Sequence, residues 1–500
     1  MLSTFLEVLD TSVVNVSLPH IAGSLSATVD EATWVLTSYL VANAIVLPIT
    51  GWLANRFGRK RLLITAVSGF TLASLLCGIA PTLPALVVFR IIQGATGGAL
   101  QPISQAILLE SFPPQDRGKA MAFWGLGIVC APILGPTLGG WLTDAYSWRW
   151  VFYINLPIGI ASVFMTRAYI FDPAYIKRQA GKVDFWGLGM LAVGISALQI
   201  VLDKGQEADW FGSNYIIALT VLAAVLLTAF VFWELTINHP IVHLSVFKDR
   251  TYATGVFLMT LLGFVLYGSL VLLPIFMQTL LNYTAVAAGI WTSPRGIGAL
   301  IFMPVTGILM SRRWDPRLLL GLGLAAGAMS MFEFSHFTLQ TSPWGFFWAQ
   351  ILQGAALSFI FVPLTTVTMD GVSNSEMGNA TSLFNLLRNL GGGAGISAMT
   401  TLVARRSQFH QARLTAQLSS SNTGMHAFLA QLQAGFIARG ENAVTAGRQA
   451  LGGLYGLVGQ QAALLSFMES FWLLALIFTI MVPLVLLMRR PTHGRSVSAH

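Results

Sequence analysis

Fourteen stretches of about 20 mostly apolar residues recur along this chain, centred near residues 11, 42, 71, 96, 130, 158, 193, 225, 264, 298, 328, 355, 390 and 477. That is the length a helix needs to cross the hydrocarbon core of a bilayer. No ten-residue alternation of the kind that builds a transmembrane barrel runs through them. Inside a bilayer every backbone polar group must be bonded within the protein, so the pattern admits an all-α integral membrane protein. Composition agrees: 55% of the residues are hydrophobic and only 10% are charged, against roughly 25% in soluble domains. The first stretch has no basic region before it and no small-residue cleavage site after it, so it is expected to stay in the protein as a span.

A net charge of +8 would suggest a nucleic-acid partner in a soluble chain, but here the charge sorts by topology. With the N-terminus inside, 18 of the 28 Lys and Arg fall in cytoplasmic segments, among them Lys177, Arg178, Lys182, Arg489, Arg490 and Arg495. The short outer loops hold only Arg149 and Lys204. This positive-inside bias places both termini in the cytoplasm of a bacterial inner membrane. Cys77 and Cys130 sit in apolar runs and are expected as free thiols.

The segment GWLANRFGRKRLL (51–63) aligns with GILMSRRWDPRLL (307–319) at six of thirteen positions, and RIIQGA (90–95) aligns with QILQGA (350–355). Repeated halves around a site near the membrane midplane are the architecture of alternating-access transporters. The spacing predicts a six-helix bundle over 1–168, two additional spans over 169–250, and a second six-helix bundle over 251–490, followed by a cytoplasmic tail at 491–500. Residues 404–465 form a long outer extension in which FHQARLTAQL and MHAFLAQLQAGFIARG are expected as surface helices, not a folded domain.

Two acids stand inside the first stretch, and an ionised carboxylate at the centre of a membrane helix costs at least about 2.5–3.5 kcal/mol. Glu7 and Asp10 are three apart, which puts them on one helix face. Two such carboxylates close together in low dielectric are expected to titrate as a coupled unit and to share a proton. Arg90 is a cation where the repeat carries Gln350, so the fold does not require it there. It is a candidate partner for Asp10, with a helix-stapling role as the structural alternative. Asn15, Gln93, Gln101, Arg295 and Arg388 are further polar residues within spans, either lining a cavity or serving as interhelical bonds and snorkelling cations. No metal-site spacing, phosphate loop or nucleophile elbow occurs, so no cofactor is expected, and ATP-driven transport or covalent catalysis lacks support.

Taken together, LDTSVVNVSLP, GWLANRFGRK, RIIQGATGG, GIVCAPILGPTLGGWL and WRWVFYINLPIG make the chain resemble EmrB-type multidrug efflux pumps, in the fourteen-span drug:proton antiporter branch of the major facilitator superfamily. The resemblance implies the major facilitator fold with 14 transmembrane helices and a proton-coupling role for the acid of the LDT motif, here Asp10. It implies a gating role for Gly51, Asn55, Arg56, Gly58, Arg59 and Lys60, with Asn55 standing where the family usually has Asp. It also implies an antiporter motif in Gly135, Pro136, Gly139 and Gly140. Pumps of this kind work with a periplasmic adaptor (a membrane fusion protein) and an outer-membrane channel. The expected activity is proton-coupled export of amphipathic drugs. An antiporter for one metabolite or lipid is the alternative, and a receptor or enzyme on a transporter fold is a more distant one.

Overall fold

The structure, a computed structural model, describes residues 1–113, 115–172, 184–237, 240–418 and 423–488. The tail at 491–500 and the basic residues Lys177, Arg178, Lys182, Arg489, Arg490 and Arg495 lie outside the described residues.

Each of the fourteen apolar stretches lies on a helix. The first half contains α1 (Leu2–Ser24), α2 (Trp34–Phe57), α3 (Arg59–Gly78), α4 (Leu83–Ser111), α5 (Arg117–Ala145) and α6 (Trp150–Tyr169). Then come α7 (Phe185–Lys204) and α8 (Asn214–Thr236). The second half contains α9 (Arg250–Thr279), α10 (Val286–Ser311), α11 (Pro316–Phe334), α12 (Pro343–Asp370), α13 (Met377–Gln417) and α14 (Ala443–Leu484). Several of these helices begin at side-chain caps: Thr82, Asp184, Asp249, Asp315 and Asn442 each accept from a backbone N–H in the first turn.

Among the described residues, twelve helices are long and apolar enough to cross a membrane: α2 through α12, and α14. The other two, α1 and α13, carry many of the buried polar side chains, including Glu7, Asp10 and Ser17 on α1 and Asn379, Asn385 and Arg388 on α13. Their polarity points into the protein, so hydropathy understates them.

The sequence repeat has a packing counterpart. In the first half α1 packs on α5, α2 on α4 and α3 on both α4 and α6; in the second half α9 packs on α13, α10 on α12 and α11 on both α12 and α14. The halves meet where α5 packs on α10 and α2 on α13, contacts that the repeat exchanges. α7 lies against both α2 and α13, flanking the seam, and α8 packs on α7.

Glycines set the closeness of the seam. A Cβ on Gly51 would stand 2.6 Å from backbone atoms of Asn379, and one on Gly307 would stand 3.1 Å from the Cα of Lys119. Gly51 and Gly307 occupy the same place in the repeat, so each half presents its own glycine to the start of a helix in the other. This end of the molecule, marked by Arg59, is sealed.

The described part of residues 404–465 is largely helical. FHQARLTAQL is the last part of the 41-residue α13, which continues without a break, and the 42-residue α14 begins at Ala443. Between them lies the helix Thr423–Ile437. Arg406 on α13 holds Glu469 on α14 through both carboxylate oxygens, at 2.5 and 2.7 Å, and His410 reaches the same carboxylate at 3.0 Å.

Candidate functional site

The site is built on α1, because its acids face the other helices of the first half. The Asp10 carboxylate receives three donors. Arg90 Nη1 donates to Oδ2 at 2.6 Å, while Asn155 Nδ2 and Gln93 Nε2 donate to Oδ1 at 2.6 and 3.0 Å. Asp10, Arg90, Gln93 and Asn155 are all fully buried. Arg90 and Gln93 are three apart on α4 and share a face, so Arg90 Nη1 also reaches Gln93 Oε1 at 2.8 Å. Arg90 Nε donates to the Val35 carbonyl at 3.0 Å, and the guanidinium lies over the Tyr39 ring at 4.1 Å. A buried ion pair is tolerable only with such added bonds, since its desolvation cost otherwise exceeds its attraction.

Glu7 differs from its neighbour. Asn43 Nδ2 donates to Oε1 at 2.8 Å, while Oε2 is buried with no donor. The two carboxylates are not bonded to each other: Asp10 turns toward α4 and α6, Glu7 toward α2. The two acids are adjacent on α1 and have separate hydrogen-bond partners.

Of the other polar residues, Gln93 belongs to the Asp10 cluster and Gln101 reaches across the seam to Arg388. Arg388 lines a small, mostly apolar cavity with Ile128, Leu266, Tyr267 and Phe361. Arg295 is buried in the first half of α10, just after Pro294, and is not brought to the Asp10 cluster. Asn15 is exposed and takes no part in it. Asn43 and Asn155 are site residues that sequence reasoning missed. Asn155 lies within the quoted WRWVFYINLPIG segment, so a signal existed, but an uncharged amide in an apolar run does not announce itself.

The geometry is that of a helical carrier with a buried charge cluster in one half and a repeat-related partner half. The model of the Major Facilitator Superfamily matches residues 1–396. The chain belongs to the major facilitator superfamily. Among its relatives in the superfamily, the fatty acid resistance protein FarB of Neisseria gonorrhoeae is 40% identical over 99% of this chain and 95% of that one. The multidrug export protein EmrB of Haemophilus influenzae is 42% identical over 86% of this chain and 84% of its own length; EmrB of Escherichia coli is 38% identical over 98% and 94%. A crystal structure of a double Trp mutant of XylE matches with a TM-score of 0.59 at 17% identity, covering 96% of this chain and 97% of that one.

The superfamily loop after α2 gathers its charges at the seam. Arg59 is almost fully buried, pairs with Glu110 at the end of α4, and donates to the Asn374 carbonyl of the second half at 3.2 Å. Gly58 takes φ +88°, a conformation that favours glycine, and the N–H of Lys60, two residues on, donates to Asp172 at 2.8 Å. Lys60 Nζ donates to the Arg167 carbonyl at 2.8 Å, and Arg56 lies over the Trp52 ring. Asn55 is half-buried. The acids that serve this loop, Glu110 and Asp172, come from elsewhere in the chain. In the α5 motif, a Cβ on Gly135 would stand 2.2 Å from Ser12 Oγ and one on Gly139 would stand 2.8 Å from the Val13 carbonyl, whereas Gly140 faces open space. Pro136 is half-buried between them in the same helix. The motif is thus a close contact between α5 and α1, directly beyond the acids.

Proposed function

We propose that this protein is a proton-coupled antiporter that exports amphipathic drugs by alternating access across a bacterial inner membrane. The observation that carries the reading is the buried Asp10–Arg90 pair on α1 and α4 with Glu7 one turn away, in a chain 38–42% identical to two EmrB multidrug export proteins. Protonation at this acidic site changes a buried charge, and inward movement of one charge through 100 mV supplies roughly 2.3 kcal/mol. We take α1 and α13 as spans together with the twelve apolar helices, which makes fourteen. An even count puts both termini on one side, and the positive-inside bias makes that the cytoplasmic side, where the Arg59 end lies. The packing of α7 against both α2 and α13, with α8 on α7, supports six helices to each half with these two between them. The helical extensions of α13 and α14 are suited to meet a periplasmic adaptor that leads to an outer-membrane channel.

A second reading, an antiporter for a single lipid or metabolite class, is favoured by the likeness to FarB, whose name specifies fatty acid resistance. Everted membrane vesicles separate the two. Chemically unrelated amphipathic dyes should each dissipate an imposed pH gradient in a protein-dependent way. A response confined to fatty acids would establish the second reading instead. Glu7→Gln combined with Asp10→Asn should abolish the response, and its persistence would remove the acids of α1 from the mechanism.

A further inference from the structure

Two buried atoms of opposite character stand on the two sides of the seam. On α1, Glu7 Oε2 has no donor; on α13, Arg388 Nη1 has no acceptor. Between them is Gln101 on α4, whose Oε1 accepts from Arg388 Nη2 and whose side chain lies beside Glu7. Among the described residues the Arg388 guanidinium is otherwise bonded only to its neighbour Asn389, at 3.2–3.4 Å. Among the described residues it forms no ion pair with any carboxylate. The groups that face Glu7 are Asp10 on its own helix, Tyr39 on α2, and Arg388 from the other half. Asp10 is already matched by Arg90 at 2.6 Å. Glu7 and Arg388 are therefore the remaining opposite charges in this region, and they belong to different halves.

Their level in the molecule matters. One turn along α13 toward the Arg59 end, Asn385 Nδ2 donates to Gln105 Oε1 at 2.6 Å, and a turn further Thr381 Oγ1 donates to the Pro102 carbonyl at 3.1 Å. Both bonds join α4 to α13. The Glu7, Gln101 and Arg388 set sits at the inner limit of this zipper, buried between the two halves. Attraction between charges there is little screened, and an uncompensated charge is costly.

We propose that Glu7 and Arg388, bridged by Gln101, form a proton-sensitive latch between the two halves. Ionised Glu7 attracts Arg388 and favours the state sealed at the Arg59 end. A proton on Glu7 removes the attraction and lets that end open. Arg388 is a positioning residue in this scheme: it senses the charge on Glu7 and passes it to α13. The proposal rests on the reading that α1 carries the coupling proton, and the experiment below keeps the two apart.

The test is a distance measurement on the full chain in lipid nanodiscs, with Cys77 and Cys130 replaced by Ala and spin labels at Arg61→Cys and Trp314→Cys, one on each half at the Arg59 end. Pulsed electron resonance should show the short, sealed distance dominating at alkaline pH and a longer distance gaining population on acidification. Arg388→Gln should abolish that pH response, Arg388→Lys should retain it, and Glu7→Gln with Arg388→Gln should behave as either single change does. A wild-type pH response in Arg388→Gln, with the response lost in Glu7→Gln, would overturn the latch and leave the proton reading standing. An unaltered response in Glu7→Gln would overturn the latch, and a response that also persists in Glu7→Gln combined with Asp10→Asn would overturn the proton reading with it. If Arg388→Gln does not fold, Gln101→Leu replaces it: a weakened pH response supports the latch, and an unchanged one refutes it.

Discussion

The Asp10 cluster concentrates three donors on one carboxylate, and the donors are not equivalent. Arg90 matches a full charge inside the protein, so Arg90→Leu leaves an unpaired buried carboxylate, a loss of about 3–5 kcal/mol. Asn155 supplies one neutral donor at 2.6 Å, and Asn155→Ala is expected to cost about 1–3 kcal/mol. Asp10→Asn combined with Arg90→Leu should be less damaging than the sum of the two, because neither charge is then stranded. Thermal unfolding of the purified variants in detergent reads all three values, and strictly additive losses would mean that the pair is not coupled. At this scale the sequence revealed the charged members, because an ion in an apolar run is conspicuous. It concealed Asn155 and Asn43, which lie 145 and 36 residues from the acids they serve. Their relevance is a matter of tertiary approach, which the local pattern does not encode.

At the level of helices, the α5 motif separates into positions that touch α1 and one that does not. Gly139 approaches the Val13 carbonyl, a backbone atom that cannot rotate away, and Gly135 meets Ser12. Gly139→Ala should push α5 from α1 and sharply reduce transport by correctly inserted protein. Gly140→Ala meets nothing within 4 Å. It should keep its transport and gain up to about 1 kcal/mol from helix propensity. Vesicle transport normalised to the amount of membrane-inserted protein distinguishes them, and equal loss at both positions would refute steric contact as the reason for the motif. The locations of the helices were legible because a membrane-length apolar run has few alternatives. The ends of α13 and α14 were not. Hydropathy falls along these extensions although the helices continue, linked there by Arg406, His410 and Glu469.

For the molecule as a whole, the repeat makes a mechanical statement: two like halves, each with a glycine seated on the other, meet in a seam that must part if the site is to face both sides in turn. The sealed Arg59 end supplies a way to hold it shut. A Cβ on Gly118 would stand 2.9 Å from the Cβ of Met310, somewhat closer than the roughly 3.5–4.5 Å of a disulfide, so a slight outward adjustment of α5 and α10 permits a bond. Gly118→Cys with Met310→Cys should cross-link the halves on oxidation and stop transport, and reduction should restore it. Neither single variant should respond to the oxidant. Acidification should not open the oxidised form, whereas the reduced form should still open if the Glu7–Arg388 latch operates. Undiminished transport by fully cross-linked protein would mean that the two halves do not separate at this end. The exchange of facing sides would then have to arise within the halves, and the repeated glycines would be packing devices without a part in the cycle.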